Sequence, residues 1–175
     1  MHLFLTGEIK VGKSTIVQRL LEEYPGTIGG FRTVFGPLTE DGGSDVFMID
    51  LNETKASGCK PESLVARRIG TTRYEGFPEA FDRVGTALLR AAQGKDLIVM
   101  DELGFMESEA LAFQKAVIRC LDGTIPVLGV VKPASTPFLE QVHRHAHTTV
   151  FEVTRQNRER VLREVQERMV HPQYA

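Results

Sequence analysis

Residues 7–14 read Gly-Glu-Ile-Lys-Val-Gly-Lys-Ser, directly behind the apolar run Leu3-Phe4-Leu5. The pattern is G-x-x-x-x-G-K-[ST], a loop whose backbone N–H groups turn inward to wrap the β- and γ-phosphates of a nucleotide. Glycine is needed at both ends because only it takes positive φ and lets phosphate approach the main chain closely. All of Gly7, Glu8, Ile9, Lys10, Val11, Gly12, Lys13, Ser14 and Thr15 are therefore expected along the nucleotide. Lys13 is expected to reach the β/γ oxygens as a point charge, and the Ser14 hydroxyl to ligate Mg²⁺. A strand before the loop and a helix after it give the arrangement its context, with the helix offering its positive end to the phosphates.

Working outward, residues 14–23 place Ile16, Val17, Leu20 and Leu21 on one helical face. Two strand-like stretches follow, TIGGFRTVFG and SDVFMIDLN, and the Asp-Gly-Gly centre of the segment between them predicts an antiparallel hairpin near residues 27–52. Residues 53–76 read mainly as loop, with Arg67, Arg68 and Arg73 as a basic run that is either a solvated face or a lid over phosphate. A long helix is expected from Pro78 to about Gln93, then the continuous apolar strand DLIVM, of the kind covered on both faces. A helix from Ser108, a strand IPVLGVV, a short helix near 137–144, a strand TTVFEV and a closing helix from Arg155 complete the order. Strands alternating with helices predict a mostly parallel sheet between two helical layers, the three-layer sandwich of P-loop NTPases.

A P-loop requires a carboxylate at the end of a neighbouring buried strand. The stretch LIVMDE supplies Asp101, expected to hold Mg²⁺, and Glu102, expected to orient or deprotonate the attacking water. Lys132, Arg155 and Arg158 follow later strands and are candidates for neutralising the γ-phosphoryl or holding base and ribose. Asn157 either contacts the nucleotide or caps the closing helix, and Glu107 either shares the acidic role or ends its loop. His143, His145 and His147 alternate, but no cysteine or carboxylate accompanies them at a useful metal-binding spacing.

The same residues resemble a known family. DELGFME (101–107) resembles the Asp-Glu-x-Gly-x-Met-Glu signature of the THEP-type nucleoside-triphosphatases, small P-loop proteins of the RecA-like branch. GGFRT (29–33), VLGVV and EVTRQNRERVL (152–162) are similar to further family elements, in the right order along almost the whole chain. The resemblance implies Mg²⁺-dependent hydrolysis of nucleoside triphosphates, ATP and GTP among them, with loose base preference. The family commonly has Pro-Gly where this chain has Ile9-Lys10, and IGTTRYEG matches the family only in part.

Bulk properties set the remaining expectations. The 175 residues suit one domain, and 42% hydrophobic and 25% charged residues suit a globular protein. A net charge of −2 gives no global attraction to nucleic acid or membrane. No signal peptide or membrane span is legible, and Cys59 and Cys120 form no CxxC, so a cytoplasmic monomer or weak oligomer is expected. Two alternatives to hydrolysis remain open at this point: phosphoryl transfer to a small acceptor, and a slow nucleotide switch acting through a partner.

Overall fold

The computed structural model describes residues 1–170. In β1 (His2–Thr6) the pleat sends Leu3 and Leu5 to one face and Phe4 to the other. The same division holds in β6 (Leu97–Leu103), where Leu97 and Val99 face one way and Ile98 and Met100 the other. Both faces of these strands are thus apolar, so a helical layer must cover each. On the Leu3 face lie α1 (Lys13–Glu22) and α6 (Arg158–Val170), contributing Ile16, Val17, Leu20, Val161, Leu162 and Val165. On the Phe4 face lie α3 (Pro78–Ala91), α4 (Leu111–Leu121) and α5 (Pro137–His143). Phe31, Phe81 and Phe113 meet there, and burying each ring contributes about 1.5–3 kcal/mol.

The remaining strands are β2 (Ile28–Phe35), β3 (Ser44–Asp50), β4 (Leu64–Ile69), β5 (Arg73–Gly76), β7 (Val127–Val131) and β8 (Thr148–Glu152). The eight-stranded sheet runs β5-β4-β3-β2-β6-β7-β1-β8. From β2 to β8 every pairing is parallel, and β3, β4 and β5 extend the sheet antiparallel on one side. The ends of β1, β6, β7 and β8 therefore open at one edge, where the P-loop, Asp101-Glu102, Lys132 and the 153–157 turn emerge.

The expected three-layer architecture and the β2–β3 hairpin are present. Three local expectations need correction. Residues 53–76 are not mainly loop: they form the four-residue helix α2 (Lys55–Gly58), capped by Thr54, and the strands β4 and β5. The helix expected from Ser108 starts at Leu111, because residues 105–109 are folded into a turn tied by the Gln114 amide to the carbonyls of Glu107 and Ser108, both at 2.8 Å. The closing helix starts at Arg158 rather than Arg155, because Asn157 and Thr154 close a turn ahead of it.

Candidate active site

Backbone geometry shapes the loop between β1 and α1. Gly7 sits at φ 132, and a Cβ there would lie 2.3 Å from the Val153 carbonyl oxygen, so no side chain fits. Gly12 sits at φ 104 immediately before α1. Lys10 takes φ 65, the left-handed region that a glycine would occupy without strain. Ile9 is 77% exposed at the crest of the loop. Lys13 closes the loop from within, its Nζ donating to the carbonyls of Gly7 and Glu8, each at 2.7 Å. The loop thus holds its cradle shape through its own lysine.

Asp101 and Glu102 reach the same edge from β6. The β6–β7 register shifts between Asp101 and Leu103, which pair with Val130 and Val131, so Glu102 is the extra residue of a bulge. A bulge re-aims a side chain that would otherwise follow the pleat. Glu102 Oε1 lies 3.0 Å from Lys132 Nζ, the two side chains 27% and 26% exposed. Thr33 from β2 braces the junction, its hydroxyl 3.4 Å from both the Asp101 carbonyl oxygen and the Glu102 nitrogen.

Electrostatics follow from this convergence. Burial and the neighbouring Glu102 charge push the Asp101 carboxyl up to about 6, while the Ser14 hydroxyl, Lys13 and Arg32 pull the other way. Burial draws Lys13 below the usual lysine range, against the attraction of Glu102. A carboxylate that resists ionising beside a hydroxyl is a pair of hard oxygen donors short of positive charge, which suits a divalent cation.

Lys132 follows β7 and is fixed through both of its backbone polar groups. Its N–H donates to the Leu103 carbonyl, and its carbonyl accepts from His143 Nε2, both at 2.9 Å. Arg158, at the start of α6, crosses the loop: a Cβ on Gly12 would lie 3.9 Å from its Cδ and 4.0 Å from its Nη1. Asn157 uses both ends of its amide within the chain, accepting from Thr154 N–H and donating to the Glu152 carbonyl, each at 2.8 Å. Its helix-entry role is the one with visible partners. Arg155 is exposed on the same turn.

The basic run lies on β4 and β5, not on a lid. Arg67 pairs with Asp45 at 2.7 Å, while Arg68 donates to the Gly42 carbonyl and stacks over Phe35. His143 ends α5, with His145 and His147 beyond it, so the three share no strand face. Among the described residues no three His, Cys, Asp or Glu side chains converge to hold a metal.

Two features escaped sequence reasoning. His143 appeared only as part of the histidine alternation, with no sign that it would hold the Lys132 carbonyl. Glu107 is 1% exposed, which its polar character concealed.

The model of the family described as NTPase matches residues 2–166. The chain belongs to the THEP1-type NTPase family. Nucleoside-triphosphatase THEP1 of Thermotoga sp. strain RQ2 is 30% identical over 167 residues, covering 94% of this chain and 93% of the relative. The protein of the same name from Methanopyrus kandleri is 31% identical over 165 residues, covering 90% and 89%. The crystal structure of THEP1 from Aquifex aeolicus superimposes with a TM-score of 0.72 at 21% identity, covering 94% of this NTPase and 96% of that chain, and shows the shared fold. No helix among the described residues of the NTPase is long and apolar enough to cross a membrane.

Proposed function

We propose that this chain hydrolyses nucleoside triphosphates to diphosphate and phosphate, with Mg²⁺ as its cofactor and loose preference among bases. The observation that carries the reading is the meeting of Lys13, Asp101, Glu102 and Lys132 at one edge of the sheet, around a preformed phosphate cradle. The relatives' name, nucleoside-triphosphatase, supports it. Base tolerance is supported by the character of the site: Lys13, Lys132 and Arg158 match phosphate charge, which every nucleotide carries.

Ser14 and Asp101 would hold Mg²⁺, which when bound would neutralise phosphate charge. Lys13 exchanges the carbonyls of Gly7 and Glu8 for β/γ oxygens. Lys132 exchanges Glu102 for the γ-phosphoryl, where negative charge must be matched in the transition state. Glu102, released from its ion pair, accepts a hydrogen bond from the water in line with the γ-phosphorus. The water oxygen bonds to phosphorus as one of its protons passes to Glu102, the bond to the β–γ bridging oxygen breaks, and the diphosphate leaves with that electron pair. Arg158, lying over Gly12, adds a further cation beside the phosphates, and Arg155 faces base or ribose.

The catalytic unit spans 1–175 as one domain, working as a monomer or weak oligomer. The free thiols Cys59 and Cys120 suit a reducing cytoplasm.

The test is product analysis with ATP, GTP, CTP and UTP, each with Mg²⁺ and with or without nucleoside and nucleoside monophosphate acceptors. Diphosphate and free phosphate without acceptor, abolished in Lys13→Ala, are expected. A phosphorylated acceptor would make the protein a kinase instead, and nucleotide binding without any product would make it a switch.

A further inference from the structure

Lys132 is a flexible side chain asked to stand at one point, and its main-chain bonds to Leu103 and His143 fix only its root. Farther out, the ammonium lies 5.7 Å from the centre of the Phe105 ring, and the stem passes beside Gly104. A Cβ at that position would lie 3.3 Å from Lys132 Cε and 3.4 Å from Cδ, so the lysine methylenes rest on the bare glycine. Gly104 is itself held: its N–H donates to Glu107 Oε1 at 2.5 Å. Glu107 is anchored in turn, its carbonyl accepting from Ala110 N–H at 3.0 Å and from the Gln114 amide at 2.8 Å. A continuous line of contacts therefore runs from α4 through the turn and Gly104 to the lysine that meets Glu102.

The Glu107 carboxylate has no solvent to face, being 1% exposed, and the Lys132 ammonium goes to Glu102 rather than to it. Burying an acid is costly unless it is hydrogen-bonded, and the Gly104 N–H and its own backbone N–H are the donors that face this carboxyl. Burial pushes its carboxyl up to about 8, against the pull of the Gly104 N–H. Neither the ionised nor the protonated acid loses its acceptor oxygen, so the grip on Gly104 does not require the charge.

We propose that Glu107 is a positioning residue, which clasps Gly104 so that the Lys132 stem is braced with its ammonium at Glu102. This rests on the reading of Lys132 given above. Glu107 acts through hydrogen bonding and shape, outside the reacting atoms, and its effect on turnover passes through Lys132.

The experiment measures kcat and KM for ATP hydrolysis in Glu107→Leu, Glu107→Gln and Gly104→Ala, each alone and combined with Lys132→Met. Glu107→Leu is expected to lose about tenfold to a hundredfold in kcat, with KM within about threefold, because a misplaced group costs turnover rather than grip. Glu107→Gln, which keeps an oxygen for Gly104, recovers most of that loss. In the Lys132→Met background Glu107→Leu causes no further loss, which a merely structural role would not produce. Unchanged kcat in folded Glu107→Leu overturns the inference. So does a Gln variant as poor as Leu, or losses that multiply with Lys132→Met. Where Glu107→Leu does not fold, Gly104→Ala decides: its Cβ crowds the lysine stem, so its loss must vanish in Lys132→Met, and unchanged kcat in Gly104→Ala overturns the inference. Lys132→Met with unaltered kcat overturns the role of Lys132 and this inference with it, an outcome distinct from multiplying losses.

Discussion

Lys132 and Glu102 meet at 3.0 Å across the ends of two adjacent parallel strands, and the Glu102 partner stands out of register with its strand. In the proposed reaction this ion pair opens when phosphate arrives, which leaves both groups uncommitted before substrate binds. Replacing Lys132 by Met or Glu102 by Gln should lower kcat by about 10²–10³-fold, since each removes a group acting mainly in the transition state. Nucleotide affinity in Glu102→Gln should stay within about threefold, because the P-loop supplies most of the grip. Single-turnover phosphate release beside equilibrium nucleotide binding separates the two effects.

Glu107 carries a stability consequence independent of turnover. Its folded pKa is raised to about 8 from 4.5. Between those values the unfolded chain gives up a proton that the folded chain retains, so this group weakens the fold as pH rises from 4.5 through 8. Glu107→Gln has no charge to bury and should be more stable than the parent at pH 8 by a few kcal/mol, with the difference closing near pH 4.5. Urea unfolding at both pH values measures this.

His2 works in the opposite direction. It is fully buried on β1, its Nε2 donates to the Leu121 carbonyl at 2.9 Å, and its Nδ1 has no partner among the described residues. Burial lowers its pKa from 6.5 to about 4. The unfolded chain therefore takes up a proton below pH 6.5 that the folded chain refuses until about 4, and up to about 3 kcal/mol of stability is lost across that window. His2→Gln keeps a donor for Leu121 and does not titrate. Its stability relative to the parent should rise as pH falls from 7 to 4.5, read from the same denaturant curves.

Lys10 offers a test of the P-loop backbone. Its φ of 65 costs about 1 kcal/mol for a residue with a Cβ. Lys10→Gly removes that strain and should raise the melting temperature by a few degrees in the absence of nucleotide. A lower melting temperature would mean that the lysine side chain contributes more than the strain it causes.

Much of the fold was legible because its signals are local. Four apolar residues before Asp101 announce a strand covered on both faces, and GEIKVGKS announces the loop, within windows of fewer than ten residues. β4 and β5 were not, because Arg67, Arg68, Arg73 and Glu75 interrupt any apolar alternation near the edge of a sheet. The start of α4 was misplaced because Ser108-Glu109 has the composition of a helix entry. The turn that displaces it depends on Gln114, from the helix that follows. In the candidate site, Lys13, Asp101, Glu102 and Lys132 could be named from sequence, and they do converge. The Glu102 bulge, the His143 bond to Lys132 and the burial of Glu107 belong to register and packing, which no short window encodes.

At the antiparallel end, the sheet stops at β5, a strand of only four residues, with Arg73 and Glu75 exposed on it. An edge so short and so charged makes a poor template for a strand from another molecule. The flank farthest along the sheet from β1 and its loop thereby offers little for a second molecule to pair with, so that margin is ill suited to growth into a fibril.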